Sequence, residues 1–294
     1  MATMLRLTLL ATALAPALAA CGATEVRRDV AYDPRFGDAT VMDLHLPDDG
    51  ATLRPAVVMI HGGGWRLFSK DEFDGNAERL AGAGYVVANI NYRLVPDGAY
   101  PAAVQDCLCA LAYVRNHAGE LGVDPDRVAV MGYSAGGHLA ALLGVAADEP
   151  DFQPDCAEGA TGAPRAVISG AGPTDLIALA DADTVQDFVG GTVDEVPERY
   201  QRISPLYQVE AGAPPYLFVH GEDDLFVPLA QSQQMRQALR DVGTEATLLS
   251  LRGSGHLVGV GGSAARNDLV QTSVDTPEAW VAIIDFLDDQ LGAP

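Results

Sequence analysis

Basic residues are scarce in this chain. Its 294 residues include 18 Lys and Arg against 40 Asp and Glu, which gives a formal net charge of −22 at pH 7. A surface of that sign repels nucleic acid and anionic lipid headgroups, so we exclude both as binding partners. The sequence also lacks internal repeats and low-complexity tracts, and its hydrophobic content of 48% is typical of folded proteins. The composition therefore predicts one acidic, globular domain with a full core.

Cysteine is equally scarce, with four residues in all. A metal site built on them would need further ligands at suitable spacing, and none lies nearby, so we expect no metal. Beyond Cys21, the remaining three allow one disulfide and one buried thiol in an oxidising compartment. Cys156 lies in a polar loop, and either Cys107 or Cys109 of a predicted helix could reach it. The pattern predicts a structural bridge and leaves that partner open.

Long hydrophobic runs are absent except at the start of the chain. Residues 7–20 form a 14-residue apolar stretch, which is too short for an ordinary membrane span and has the length of a signal peptide. It ends in Leu18-Ala19-Ala20-Cys21-Gly22, which resembles the lipobox of bacterial lipoproteins, where the cysteine is lipidated and becomes the mature N-terminus. We therefore expect residues 1–20 to be cleaved and Cys21 to anchor an exported domain, residues 21–294, to a membrane. Ordinary secretion into the periplasm or medium is the alternative.

Strand-like and helix-like runs alternate from about Val26 onward. This alternation predicts an α/β fold, with a mostly parallel central sheet and helices on both faces. Helices are expected after Pro101 and after Pro277, the second with Thr276 as its N-cap. The acidic stretch 172–214 has weaker periodicity and is predicted to form a small lid over the sheet. The strands are predicted at residues 41–46 (half-exposed), 55–60, 85–90, 127–131, 166–169, 216–219 and 246–251.

The segment Gly132-Tyr133-Ser134-Ala135-Gly136 carries the strongest chemical signal. It follows an apolar, strand-like run and precedes an Ala-rich run that can be helical. A strand, a sharp turn and a helix are the context in which a Gly-x-Ser-x-Gly segment exposes a nucleophilic serine. The flanking glycines allow backbone to pass close to a strained residue. We therefore predict Ser134 to be a nucleophile.

A second motif, His61-Gly62-Gly63-Gly64, ends another strand-like run. Free amides at such a position can stabilise the negative oxygen that forms when a serine attacks a carbonyl. The amide that follows the nucleophile belongs to Ala135. We therefore predict an oxyanion hole formed by Gly63, Gly64 and Ala135.

A serine nucleophile requires a base and an orienting carboxylate. His256 directly follows the last predicted strand and is the best candidate base. The acid is expected between the serine and this histidine, where Glu222, Asp223 and Asp224 are consecutive. The other five histidines are expected in structural positions: His45 on a strand facing water, His61 and His220 bracing loops, His117 at a helix C-terminus and His138 packed.

Seven motifs together resemble the α/β-hydrolase superfamily, especially the hormone-sensitive-lipase-like esterases and the small feruloyl/acetylxylan esterase and kynurenine-formamidase-like group. The resemblance implies the α/β-hydrolase fold and selects Asp224 as the acid, by the spacing His-Gly-x-x-Asp-x-x-Val-Pro, with Asp223 as the second candidate. The motifs are His61-Gly62-Gly63-Gly64-Trp65, Asn91-Tyr92-Arg93-Leu94, Asp124-Pro125-Asp126-Arg127-Val128, Gly132 to Gly137, Gly172-Pro173-Thr174-Asp175-Leu176, Ser204-Pro205-Leu206 and the Asp224 loop.

One departure from the lipase-like members is Tyr133, where they usually have an acidic residue before the serine. The N-terminal segment is also too short for their helical cap, so the resemblance favours the smaller esterases and an open, shallow site. It implies a cofactor-free serine carboxylesterase acting on short, acetyl-like esters, with acylated carbohydrates among the candidate substrates. An amide hydrolase, either an arylformamidase or a peptidase of the prolyl-oligopeptidase type, would use the same residues. The non-enzymatic alternative is a binding module on a hydrolase scaffold.

Overall fold

The computed structural model of the protein describes residues 23–48, 50, 53–256 and 276–294. The predicted signal peptide and Cys21 lie outside these residues. So does the glycine-rich stretch 259–262, for which the sequence allows either a loop at the border of the site or a plain surface connection. Within the described ranges, no helix has both the length and the apolar character needed to cross a membrane.

One sheet of eight strands forms the centre of the described structure, in the order β1-β2-β4-β3-β5-β6-β7-β8. Strands β3 to β8 are mutually parallel, whereas β2 runs antiparallel to both of its neighbours. The prediction of a mostly parallel sheet is therefore confirmed. The strands are β1 (Ala23–Ala31), β2 (Val41–Asp48), β3 (Arg54–Ile60), β4 (Val86–Ile90), β5 (Val123–Tyr133), β6 (Val167–Gly170), β7 (Tyr216–Gly221) and β8 (Ala246–Leu251).

Helices cover both faces of the sheet, as predicted. Helices α1 and α8 pack on one face, and α2, α4 and α7 pack on the other. Between β6 and β7, helices α5 and α6 occupy the stretch predicted as a lid. The helices are α1 (Asp74–Gly82), α2 (Ala102–Asn116), α3 (Ala118–Leu121), α4 (Ala135–Ala146), α5 (Asp183–Val189), α6 (Pro197–Ile203), α7 (Ala230–Asp241) and α8 (Pro277–Leu291), with short 3-10 turns at 34–40, 70–73, 150–152 and 205–208.

Local sequence explains the central elements. Every residue of β3 is buried, because helices cover both faces of the sheet at this strand, and its residues after Arg54 are accordingly all apolar. Helix α8 begins where expected: Thr276 accepts a hydrogen bond from the Ala279 amide at 3.1 Å, and Pro277 occupies the first helical position.

The expectation for β2 was wrong. Its residues 41–46 are buried, and His45 is fully buried instead of facing water. The polar strand β1, which the sequence analysis missed, pairs along the outer edge of β2. Helix α1, also missed, packs against the same strand. Neither ring nitrogen of His45 has a hydrogen-bond partner among the described residues.

The structure pairs Cys109 of α2 with Cys156, with their Cα atoms 6.3 Å apart. This confirms the predicted bridge and identifies the partner that the sequence left open. Cys107 is a free thiol, and its complete burial raises its pKa. The bridge joins α2 to the segment that follows α4.

Candidate active site

Ser134 lies between the end of β5 and the start of α4. Its backbone has a positive φ, with φ 55° and ψ −119°, a combination that is strained for a residue other than glycine. A Cβ atom at Gly132 would collide with the Gly136 carbonyl, and one at Gly136 would collide with the Ile60 carbonyl. The two glycines therefore allow the tight turn that presents the serine at the carboxyl edge of the sheet.

His256 contacts both other members of the predicted triad. The Ser134 hydroxyl donates to Nε2 of His256 at 2.8 Å, and Nδ1–H of the imidazole donates to Oδ2 of Asp224 at 2.7 Å. The serine follows β5, the aspartate follows β7 and the histidine follows β8. Parallel strands thus bring three residues that are distant in sequence to one edge of the sheet.

The loop after β7 holds Asp224 and leaves its neighbours outside. The Asp224 carboxylate is buried, and its Oδ1 accepts hydrogen bonds from the amides of Phe226 and Val227, both at 2.9 Å. Asp223, the second candidate, is exposed, and Glu222 accepts a hydrogen bond from the Ser250 hydroxyl. Of the three consecutive carboxylates, Asp224 is the one that contacts His256.

Several hydrogen bonds keep Asp224 ionised. Burial alone would raise its pKa, but the hydrogen bonds from His220, His256 and the Val227 amide outweigh burial and hold the pKa well below its ordinary value. The buried His220 braces this loop, as expected. Its Nε2–H donates to the Val227 carbonyl at 2.8 Å and lies 3.4 Å from Oδ2 of Asp224, while Nδ1 accepts from the Ser232 hydroxyl at 2.7 Å.

The glycine loop after β3 lies against the serine turn. Gly63 and Gly64 have φ values of 109° and 60°, which favour glycine. A Cβ at Gly62 would approach the Tyr133 carbonyl to 2.9 Å, so this loop and the turn are in close contact. The amides of Arg66 and Leu67 close the loop by donating to the Gly63 carbonyl at 3.2 and 3.1 Å.

His61 also has the bracing position that was expected. Its Nδ1–H donates to the Gly62 carbonyl at 2.7 Å, and its ring stacks on Tyr92 with centroids 4.4 Å apart. Burial lowers its pKa to about 4, so the imidazole is neutral at neutral pH. His138 is packed and His117 caps the end of α2, again as predicted.

A cavity of about 420 Å³ opens beside Ser134 and also reaches Gly63, Gly64, Ala135 and His256. Ligand pockets usually measure about 300–1,000 Å³, so this cavity has room for a small substrate. The predicted lid contributes one wall of this cavity. The apolar side chains that line it are Trp65, Leu67, Phe68, Phe73, Tyr133, Leu179, Val185, Phe226 and Val227.

Two contacts at the site were missed by the sequence analysis. The Tyr133 hydroxyl donates to the carbonyl of His256, and thereby ties the base to the strand that carries the nucleophile. Trp65 packs between the glycine loop and helix α5. The position of Trp65 directly after three glycines was a usable signal, whereas nothing local to Tyr133 indicates where its hydroxyl points.

A group of carboxylates elsewhere could suit a cation. Ligand atoms of Asp43, Asp71 and Asp74 lie within 4.8 Å of one another. The ammonium of Lys70 already lies 3.1 Å from Asp43 and 3.3 Å from Asp71. The Lys70 side chain therefore already supplies a positive charge beside these acids.

The sheet order, the serine turn and the contacts at 2.7 and 2.8 Å define the chain as an α/β-hydrolase fold with a serine–histidine–aspartate arrangement. A family model described as BD-FAE matches residues 42–239. The chain belongs to the BD-FAE family.

Known proteins with similar sequences and structures carry esterase names. Esterase LipC of Mycobacterium tuberculosis is 33% identical over 251 residues, which are 80% of this chain and 62% of LipC. The chain thus spans less than two thirds of that curated relative. A truncated carbohydrate esterase from gut microbiota superimposes with a TM-score of 0.74 at 25% identity, covering 92% of this chain and 98% of the other. Thermogutta terrifontis esterase 2, phosphorylated by paraoxon, gives 0.69 at 26% identity, covering 92% and 95%.

Proposed function

We propose that this protein is a serine carboxylesterase that works through an acyl-enzyme. The observation that carries this proposal is the unbroken chain of hydrogen bonds from Ser134 through His256 to Asp224, at 2.8 and 2.7 Å, beside a glycine loop. The esterase names of the similar proteins support the same reaction class.

In the proposed reaction, Ser134 Oγ attacks the ester carbonyl and its proton passes to Nε2 of His256. The Asp224 carboxylate orients the imidazole and stabilises its positive form. The amides of Gly63, Gly64 and Ala135 donate to the developing oxyanion, and each such donor contributes on the order of 3 kcal/mol to lowering the barrier. The bond to the alcohol oxygen then breaks, and His256 gives its proton to that alcohol. Water hydrolyses the acyl-enzyme by the same steps.

We propose short acyl esters as substrates, with acylated carbohydrates among them. The apolar cavity favours an apolar group, and a sugar placed there would lose hydrogen bonds to water without replacing them. We therefore place the acyl group in the cavity and the alcohol at its mouth. The net charge of −22 disfavours anionic esters.

A panel of p-nitrophenyl esters of increasing chain length, assayed beside acetylated xylan, tests this proposal. Acetate and other short esters should be cleaved fastest, and a fluorophosphonate should label the protein but not a Ser134→Ala variant. N-formylkynurenine and a proline peptide are the comparison substrates. If either is cleaved faster than every ester, the protein is an amide hydrolase and the proposed function is wrong.

We also propose that the protein is exported and anchored through Cys21. The support is the apolar stretch at residues 7–20 and the lipobox-like end of that stretch. Cys21→Ser should move the protein from the membrane fraction to a soluble fraction of a bacterial host. Unchanged membrane fractionation of this variant would contradict lipidation.

A further inference from the structure

The residue directly after the glycine loop has an unusual backbone. Trp65 follows Gly64 and has φ 58°, a left-handed conformation that few large residues adopt. Its side chain is 3% exposed. A strained and buried tryptophan next to two predicted oxyanion donors must be held by contacts elsewhere in the fold.

Those contacts come from the lid. The Trp65 ring stacks on Phe188 of α5, with centroids 4.4 Å apart and planes 4° apart. The next residue, Arg66, forms an ion pair with Asp187, also on α5. The two residues that follow the glycine loop therefore contact two consecutive residues of one lid helix.

A third contact links the loop to the helix that follows the nucleophile. Nε1–H of Trp65 donates to Nδ1 of His138, at 3.3 Å, and His138 lies in the first turn of α4. On its other side, Nε2 of His138 lies 2.7 Å from the carbonyl of Ile203, at the end of α6. A carbonyl only accepts, so the ring proton is on Nε2 and Nδ1 is free to accept from Trp65. Complete burial lowers the pKa of His138 to about 4, which keeps the ring neutral and this arrangement intact at neutral pH.

We propose that Trp65 and His138 are positioning residues that fix the amides of Gly63 and Gly64 at the oxyanion hole. The inference rests on the proposed esterase function. In this arrangement the lid holds the glycine loop in place in addition to forming one wall of the cavity. Because an oxyanion donor is effective only at its correct position, loosening Trp65 lowers the rate of acylation while ground-state binding of the substrate is retained.

The chain offers a matched control because it has two tryptophans and both are buried. Trp65→Phe keeps an aromatic ring against Phe188 but removes the N–H that His138 accepts. Trp280→Phe makes the same chemical change in α8, where the ring packs under Arg79. For p-nitrophenyl acetate we expect kcat of Trp65→Phe to fall roughly tenfold, while KM, to which Trp65 contributes as part of the cavity wall, changes by less than about twofold. Both constants of Trp280→Phe should stay at the level of the unaltered protein.

A trifluoromethyl ketone, which forms an oxyanion on the serine, supplies the second readout. Its inhibition constant should rise in Trp65→Phe by the same factor by which kcat falls, and should not change in Trp280→Phe. If Trp65→Phe does not fold, Phe188→Leu, which keeps the hydrogen bond and removes only the stacked ring, should still give a several-fold lower kcat.

The outcomes separate this inference from the proposed function. If the unaltered protein cleaves no ester, the proposed function is wrong, and the positioning role of Trp65 and His138 is wrong as well. If the unaltered protein is active and the two tryptophan variants have equal kcat and equal inhibition constants, only the positioning role is wrong.

Discussion

Two polar clusters beside this sheet are stabilised in different ways, and the first is partly buried whereas the second is buried. The Ser134 cluster, which comprises Ser134, His220, Asp224 and His256, is held by directional hydrogen bonds of 2.7 to 2.9 Å. The Asp43 cluster, which comprises Asp43, His45, Lys70 and Asn89, lies where β2 pairs with β4. There, both nitrogens of His45 and Oδ1 of Asn89 are buried without a partner among the described residues.

The two clusters also balance charge differently. Asp224 is held ionised by several donors, and the closest imidazole is oriented toward the serine. Asp43 is fully buried and faces two cations, Lys70 at 3.1 Å and the half-exposed Arg28 at 2.8 Å. An unpaired buried polar group costs about 1–3 kcal/mol. We conclude that hydrogen bonds fix the positions of the side chains in the Ser134 cluster. In the Asp43 cluster the negative charge is balanced by cations, but some buried polar atoms make no hydrogen bond.

The largest expected effect is on activity, from Asp224→Asn. The amide would present N–H to Nδ1 of His256 and favour the wrong tautomer, so kcat should fall about 10⁴-fold while the fold is retained. Asp223→Asn removes the neighbouring, exposed carboxylate and should leave kcat unchanged. Steady-state kinetics on p-nitrophenyl acetate measure both. Equal losses in the two variants would contradict the assignment of Asp224.

The next effect is on stability, from Lys70→Met. This change removes the buried cation and leaves the Asp43 carboxylate with the half-exposed Arg28 and the Asp29 amide, which donates to it at 2.9 Å, so the free energy of unfolding should fall by roughly 3 kcal/mol. We expect kcat of the folded protein to be retained. Urea unfolding monitored by tryptophan fluorescence measures the change. As a control, Asp71→Asn alters an exposed partner of the same lysine and should change stability by less than about 1 kcal/mol. If Lys70→Met were as stable as the unaltered protein, the ion pair between Lys70 and Asp43 would not contribute to the free energy of unfolding.

The smallest effect is expected from His45→Leu. Replacing a buried imidazole whose nitrogens are unpaired with an apolar side chain should raise the free energy of unfolding by about 1 kcal/mol. The same urea experiment applies. A clear loss of stability would mean that the nitrogens are hydrogen-bonded, and the contrast between the two clusters would no longer hold.

The site was predictable where its signal is local. The turn around Ser134 is set by two glycines and the apolar run before them, and His256 follows a strand that the sequence places correctly. Choosing Asp224 among three consecutive carboxylates required the family spacing, because adjacent acids in a loop look alike in one sequence. The size of the cavity was not predictable, since its walls come from several segments far apart in the chain.

The fold was predictable for the central strands and less so at the edge. The apolar runs of β3, β4, β6 and β7 reflect burial on both faces, and the second half of β5 is buried in the same way. The burial of β2 depends on β1, whose sequence is mostly polar and gives no strand signal, so His45 was placed in water. Cys107 and Cys109 are two residues apart and therefore point in different directions from α2. Only the three-dimensional position of Cys156 decides between them.

The bond between Cys109 and Cys156 closes a covalent ring with a sequence separation of 47. The ring contains β5, Ser134 and α4, so a protease that cuts once inside it yields two fragments that remain linked until a reductant is added. Such a closure also restricts the unfolded chain, by about 4 kcal/mol on the chain-entropy account. A single backbone cleavage within this ring therefore does not separate Ser134 from the rest of the protein.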